Sequence, residues 1–596
     1  MPTSYKHSDK SRPNIPAAGM AVKDADIEKE KIPYLYDPHL SPVLRFDGTG
    51  ETDRLSEQVE AILEKAKSEP LTPEETQLLQ DALLRSRQPW LEWSTKREKK
   101  QFEVDPVALH IHEKVSARAI LKASERADLE EDLFSTQRLD REQERQFYQH
   151  DVDWANRLIL GDSLQVMTSL SRREGLAGQL QMIYIDPPYG ISFSSNWQNE
   201  VGKTDVKDKN EDLTREPEMI KAYRDTWTLG VHTYLDYLKQ RLILARDLLK
   251  ESGSVFVQIS DENIHRVRSV MDEVFGPENF TSLIFFATTT GQAASLLPAA
   301  GDYLLWYSKN RSEVKYRQLT LEKTPSALAS YNQALNFTNS EVKKLSKEES
   351  TDASNLGAEW EIFSAQNMRS QGASGERLFT FEGQIFDCGP AHHWKTTPEG
   401  IARLISSGRV QRNGNTPNYR RFVRDNPTYP ITQNWDDTAI AGFSGEDKLY
   451  AVQTATKVIA RCLLMTTDPG DIVLDPTGGS GTTAHVAEKW GRRWITIDSS
   501  RVAVAIARQR LLTAKFESYK TKDEREGIDL SSPKNPGTGF VYKTVPHITL
   551  KSIAQNKSLD PIFEKHEPIL TEKLLALNEA LTKVEDTVKG SQLEKL

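Results

Sequence analysis

The chain has 596 residues, too many for one hydrophobic core, so two to four domains are expected. Hydrophobic residues make up 37% and charged residues 27%, and Cys388 and Cys462 are the only cysteines, which excludes a disulfide scaffold and a cysteine-built zinc site and suits a reducing cytoplasm. No apolar run is long enough to span a bilayer and the N-terminus lacks an apolar signal core, so no membrane association is expected; with a net charge of -9, any polyanion partner must meet basic residues concentrated locally.

Residues 1–30 are polar and read as a tail, followed by an aromatic, proline-broken arm at Tyr34–His39. Residues 53–66 and 73–86 have helical periodicity, the second with Thr72 as N-cap and Pro73 in the first turn, and together read as a helical hairpin. Trp90 and Trp93 follow. His110 and His112 alternate along a short apolar stretch; one such pair without a further ligand nearby reads as one packed strand face, and no metal site is expected. Residues 116–150 are charged and helical in pattern.

Arg157–Leu160 reads as a strand that ends in Gly161-Asp162. The string Gly161-Asp162-Ser163-Leu164 also heads a family of serine esterases, but no Asp-x-x-His near the C-terminus completes that machinery. At the carboxyl end of a strand, Asp162 would stand where open α/β sheets bind ligands. Met182–Ile185 is an apolar run of buried-strand type and runs into Asp186-Pro187-Pro188-Tyr189. Two prolines can neither extend a ladder nor enter a helix interior, so the backbone leaves the sheet on a stiff path. Asp186 and a proline carbonyl can accept the two protons of an exocyclic amine, and Tyr189 can stack on a base. The polar segment 191–233, with Trp197 and Trp227, reads as an active-site loop. A helix over Tyr234–Glu251, a strand over Gly253–Ile259, a helix over Asn263–Phe275 and strands over Ser282–Thr288 and Tyr303–Tyr307 continue a βαβα alternation.

Residues 310–440 interrupt that alternation. They hold His392, His393, Lys395, Arg403, Arg409, Arg412, Arg420, Arg421 and Arg424, interleaved with Trp360, Trp394, Tyr419 and Phe422, which is the local basic concentration that the net charge calls for. A helix is expected over Thr454–Leu464. A strand then ends in Asp475-Pro476 and a glycine turn, Gly478-Gly479-Ser480-Gly481-Thr482-Thr483, and the next strand ends in Asp498. Glycine lets backbone approach a ligand closely, and a carboxylate one strand along can hold ribose hydroxyls. No Gly-Lys-Ser/Thr follows the glycines, so the turn suits a nucleoside ligand without phosphates, such as S-adenosyl-L-methionine. A helix over Ser500–Leu512 and a charged helical tail complete the chain.

Together, these motifs resemble those of the β-class DNA amino-methyltransferases, in which the catalytic motif precedes the cofactor motif, and most of all the modification subunits of type III restriction systems. The resemblance covers about 155–515. It implies an α/β, Rossmann-like doubly wound sheet with circularly permuted motif order, carrying an inserted DNA target-recognition region and helical flanks. The corresponding boundaries are 1–150 for an N-terminal arm and helical region, 151–310 for the catalytic half, 311–445 for the recognition insert, 446–515 for the cofactor-binding half and 516–596 for a C-terminal extension. It further implies that Asp186, Pro187, Pro188 and Tyr189 are catalytic, and that Asp475, Pro476, Gly479, Gly481 and Thr482 form the cofactor loop. Asp498 would hold the ribose, Asp162 the adenine, and Thr454 and Lys457 would flank the methionine moiety. Lys395, Arg409, Arg412, Arg420, Arg421 and Arg424 would contact DNA.

The implied activity is methyl transfer from S-adenosyl-L-methionine to adenine N6 in double-stranded DNA, after the base has been flipped out of the helix. The same machinery on cytosine N4 or on RNA, and a silent DNA-binding specificity subunit, remain open alternatives. A homodimer, a cytoplasmic location and a restriction or helicase partner on another chain are expected from the same resemblance.

Overall fold

The computed structural model describes residues 152–188, 231–288, 299–323, 328–346, 356–439, 454–517 and 536–581, with shorter stretches between 32 and 150 and a few single positions. Tyr189, the expected loop up to residue 230, most of the 116–150 segment and His110 lie outside the described residues.

Among these residues nine strands form one sheet: β1 (Ile111–Val115), β2 (Asn156–Leu160), β3 (Leu180–Ile185), β4 (Leu249–Ile259), β5 (Phe280–Ala287), β6 (Gly301–Ser308), β7 (Asn434–Trp435), β8 (Ile472–Asp475) and β9 (Arg493–Asp498). Six helices flank it: α1 (Ser163–Arg172), α2 (Val231–Leu248), α3 (Ile264–Phe275), α4 (Thr456–Thr466), α5 (Thr482–Lys489) and α6 (Arg501–Thr513). The strand order is β7-β5-β6-β4-β3-β8-β9-β2-β1. β4, β3, β8, β9 and β2 run parallel, while β6 and β1 pair antiparallel with their neighbours.

The order explains the permuted motifs. β8 and β9 come late in the chain yet insert between β3 and β2, so Asp186, Asp475, Asp498 and Asp162 follow the carboxyl ends of four adjacent parallel strands. Every residue of β3 is buried, as in a strand covered on both faces. Ile183 and Ile185 face α1, α2 and α3 through Leu170, Leu242 and Met271; Met182 and Tyr184 face the opposite core, with Ile459, Leu463 and Ala487 of α4 and α5 and Val504 of α6. The doubly wound expectation is met by this alternation.

Two boundaries differ from the sequence reading. The helix expected to reach Glu251 ends at Leu248, because Leu249 already pairs with Leu180 and opens β4 ahead of Gly253. The chain also divides into one compact unit of residues 1–319 with 431–542, and a second of 320–430 with 543–596. Residues 311–319 stay with the sheet because Lys315 bridges Asp468 and Asp471 and the Arg317 amide donates to Met465 O. Residues 543–596 join the insert instead of forming one extension from 516: the Ile548 amide donates to Asp425 O, and Arg403 forms a bidentate pair with Asp560.

The second unit is built on a five-stranded antiparallel sheet whose central strands are Trp360–Asn367 and Thr416–Phe422. One face carries Phe363, Phe422 and Leu335, and the other packs Tyr419 and Val410 against Ile401 and Leu404 of the helix Pro398–Ser406.

Candidate active site

Three carboxylates converge where β3, β8 and β9 end. Asp186 follows β3 directly, and its amide donates to Thr477 Oγ1 at 2.8 Å. The Thr477 amide and hydroxyl both reach Asp475 Oδ1, at 2.9 and 3.3 Å, so one threonine ties the Asp-Pro-Pro turn to the glycine loop. Pro187 and Pro476 are buried and Pro188 is half-buried. The glycine loop then folds back on β9. The Gly478 amide donates to Ile497 O, and a Cβ there would lie 3.1 Å from Thr496 Cγ2. Gly481 has φ +73°, a left-handed conformation that favours glycine, and caps α5.

Asp498 secures this loop. Its Oδ2 accepts from the Gly479 amide at 2.8 Å and its Oδ1 from the Ser500 amide at 2.7 Å. A carboxylate can accept about four hydrogen bonds, so holding the loop and holding a ribose hydroxyl are compatible roles. Asp162 caps α1 by accepting from the Leu164 amide at 2.7 Å, and the Gly161 amide donates to Asp498 O, which keeps β2 and β9 in register up to the crevice. Thr482 is buried, with Ser480 and Arg510 on its hydroxyl. Lys457 is not brought to this cluster: it lies on the exposed side of α4 and pairs with Asp437 at 2.7 Å, which also holds Arg461. Arg461 first, with Lys457, holds the Asp437 carboxyl down at about 2.

The electrostatics single out Asp186. Although the residue as a whole is partly exposed, its carboxyl group is enclosed by protein, and that lost hydration, with the Asp475 carboxylate next to it, pushes its pKa up to about 8. A hydrogen bond from the Thr454 hydroxyl, 3.2 Å away, pulls the other way. Burial likewise pushes Asp475 up to about 6. Such shifts accompany functional carboxylates. They also have a stability cost. The folded chain keeps the Asp186 proton to about pH 8 whereas the ordinary value of an aspartate is 3.8, so between these values the folded state binds more protons and stability falls as pH rises. Asp186→Asn is therefore expected to raise stability by a margin that grows from pH 4 to pH 8 and then levels off, reaching on the order of a few kcal/mol. Denaturation midpoints measured across that range check it, and a margin that is flat with pH would contradict it.

Several site residues carried no motif in the sequence. Arg241 on α2 is buried, and its guanidinium reaches Asp162 at 3.0 and 3.1 Å and Ser163 Oγ at 2.7 Å while lying 3.5 Å from the centroid of the Tyr237 ring. Gln258 at the end of β4 and Tyr184 in β3 are joined by a 2.6 Å hydrogen bond below Asp186. Thr477 had a signal, since it sits inside the Asp475–Thr483 motif; Arg241 and Gln258 had none, because nothing within a few residues of either marks them.

The expected DNA-contacting residues separate in the second unit. Arg409 is buried and committed to Asp425 through Nη1 and Nη2, and leaving either buried charge without its partner would be costly. The Lys395 ammonium donates to Asn367 O. Arg420 and Arg421 are neighbours on one strand and so point to opposite faces. Arg420 shares its face with Phe363 and Phe422, and Arg424 lies over Phe337 and Phe422. Arg421 and Arg412 share the face of Tyr419 and Val410.

Residues 180–509, more than half of the chain, match the DNA methylase family (N6_N4_Mtase), and the chain belongs to that family. It is 28% identical over 337 residues to the type II methyltransferase M.EcaI of Enterobacter cloacae, a match covering 55% of this chain and 64% of that protein. It is 25% identical over 415 residues to the Mod subunit of the type III restriction-modification enzyme StyLTI of Salmonella typhimurium, covering 64% of this chain and 58% of that one. The chain thus spans less than two thirds of the length of either relative. Among solved structures, the PvuII DNA methyltransferase (cytosine-N4-specific) aligns at 15% identity with a TM-score of 0.28, covering 61% of this chain and 94% of that one. The M1.HpyAVI–SAM complex aligns at 13% identity and 0.27, covering 59% and 98%. These overlaps are partial, so the fold assignment rests on the strand order given above.

Proposed function

We propose that this chain transfers a methyl group from S-adenosyl-L-methionine to adenine N6 in double-stranded DNA, as the modification subunit of a restriction-modification system. The observation that carries the reading is the junction of the Asp186-Pro187-Pro188 turn with the glycine loop through Thr477, which sets an amine-accepting carboxylate beside a nucleoside-binding turn. The loop fits that ligand: its backbone closes tightly on β9, it carries no phosphate-binding lysine, and Asp498 and Asp162 stand at neighbouring strand ends. Bound there, S-adenosyl-L-methionine supplies an electrophilic methyl group on a sulfonium.

In this reading, the chain's own groups act by position and charge. A flipped base, unstacked at a cost of about a few kcal/mol, brings its exocyclic nitrogen to Asp186. The Asp186 carboxylate and the Pro187 carbonyl accept the two N–H bonds and turn the nitrogen lone pair toward the methyl carbon. The methyl group that the bound cofactor would supply replaces one of the two amine hydrogens, and the proton so released passes to the Asp186 carboxylate that accepts its hydrogen bond, and from there to water. Tyr189 stacks on the base. An Asp at the head of the motif favours adenine over cytosine. A homodimer and a nuclease or helicase partner belong to the same proposal. Among the described residues no helix is long and apolar enough to cross a membrane.

The test is transfer of tritiated methyl to genomic DNA followed by nucleoside mass spectrometry. Label in N6-methyladenine is expected; label in N4-methylcytosine would overturn the choice of base, and none in DNA would overturn the activity. A second expectation concerns the DNA surface. Among the described residues the face holding Arg420 and Arg424 carries a small apolar cluster of Leu335, Phe363 and Phe422, and we take it as the candidate phosphate-contacting face. Arg420→Ala with Arg424→Ala should flatten the log–log salt dependence of DNA binding by up to about 0.9 per lost phosphate contact. The pair Arg412→Ala with Arg421→Ala should leave that slope alone; the reverse pattern would assign DNA to the other face.

A further inference from the structure

The Thr454 hydroxyl lies 3.2 Å from Asp186 Oδ2 and 3.1 Å from Gln258 Oε1. It has one proton and can donate to one of them at a time. Gln258 Oε1 already accepts the 2.6 Å hydrogen bond of the Tyr184 hydroxyl. Both residues are almost wholly buried, Tyr184 at 1% and Gln258 at 4% exposure, where an unmatched polar group would be expensive. Their placement follows from strand register: Tyr184 pairs with Phe256 and Ile185 with Val257, and continuing that register sets Gln258 level with Asp186. Among the described residues, Oδ2 is the Asp186 carboxylate oxygen that receives a hydrogen bond.

We propose that Tyr184, Gln258 and Thr454 are positioning residues for the target amine: the Tyr184 hydrogen bond takes one of the two lone pairs of Gln258 Oε1 and weakens it as an acceptor, which favours the Thr454 proton on Asp186 Oδ2 and presents Oδ1 to the amine. The proposal rests on the methyl-transfer reading above, and it assigns Thr454 to the target base and away from the methionine moiety of the cofactor. The groups facing Asp186 are the carboxylates of Asp475 on β8 and Asp302 on β6 and the Tyr234 phenol on α2. The Thr454 hydroxyl is the contact that favours the ionised carboxylate against those neighbours. Lys457, the second residue of α4, is engaged by Asp437.

The relay predicts opposite signs for its members, which a merely structural role would not give. Thr454→Val removes the donor, so the Asp186 titration should move up by about one pH unit. Thr454→Ser should restore it. Tyr184→Phe leaves Gln258 to compete for the Thr454 proton and should move the titration in the same direction by less. Gln258→Leu removes the competing acceptor and should move it down.

The full-length chain is labelled with carboxyl-13C aspartate, the Asp186 signal is assigned by its loss in Asp186→Asn, and its titration is followed by NMR without cofactor. In parallel, kcat is measured against pH with DNA, and cofactor affinity by calorimetry. For Thr454→Val we expect the acid limb of kcat to follow the NMR shift, kcat near neutrality to fall about tenfold, and the Kd for S-adenosyl-L-methionine to stay within about twofold. An unmoved titration in Thr454→Val, or weakened cofactor binding with an unmoved pH profile, overturns the relay. Wild-type chain that transfers no methyl to DNA overturns the function instead, and the NMR titration still decides the relay by itself.

Discussion

Asp186→Ala is expected to lower methyl transfer at least about a hundredfold while leaving cofactor affinity within about twofold. In the proposed mechanism the carboxylate meets the amine of the target base, and its contacts in the protein run to Thr454 and, through its backbone amide, to Thr477. Thr477 belongs to the glycine loop that Asp498 holds against β9, but that contact is made by the Asp186 backbone amide, which the substitution keeps. The substitution also removes a carboxyl group that the fold keeps short of water, so the variant should be at least as stable as the wild type near neutral pH and loss of activity cannot be ascribed to unfolding. Tritium transfer and calorimetry on the same preparation measure both quantities. Retained activity in Asp186→Ala would remove the turn from the chemistry, and a matching loss of cofactor affinity would make it part of the cofactor site.

Asp498→Ala should have the complementary effect. It removes the acceptor for two backbone amides, Gly479 in the glycine loop and Ser500 at the start of α6, and the expected partner of the ribose hydroxyls. Hydrogen bonds to a charged group contribute about 1.5–3 kcal/mol, so cofactor binding should weaken by about 10- to 100-fold. Asp498→Asn keeps one oxygen acceptor and should fall between Ala and wild type. Calorimetric affinity unchanged in Asp498→Ala would take that carboxylate out of the site.

Much of this site was legible along the chain, and the legible part has a common character. The apolar run Met182–Ile185 before Asp186, and the strand before the Asp475 turn, announce themselves through nearest neighbours: buried strands need consecutive apolar residues, and prolines or glycines must follow where the backbone leaves the sheet. The helix boundary at Leu248 was harder. Leu249, Lys250 and Glu251 have good helical propensity, and a strand partner 69 positions earlier in the chain, Leu180, overrode it.

The basic insert shows where composition stops informing. Arg409 counted toward a nucleic-acid surface because charge was counted without its partner; Asp425 neutralises it inside the fold. The same holds for Arg403 and Asp560, which the chain separates by 157 residues.

Short runs of the sequence mark the four carboxylate-bearing strand ends and the glycine turn, because each depends on residues within a few positions of one another, and the presence of both motifs in one chain carries the resemblance to the amino-methyltransferases. The tertiary structure alone decided which of these groups touch. Thr477 meets Asp186 across 291 residues, Thr454 meets it across 268, and Gln258 reaches Tyr184 across 74, all through parallel strands whose neighbours are far apart in the chain. Hydrogen bonds of 2.6–3.2 Å require the sheet's register to be set first, and register is a property of paired backbones that no single stretch contains.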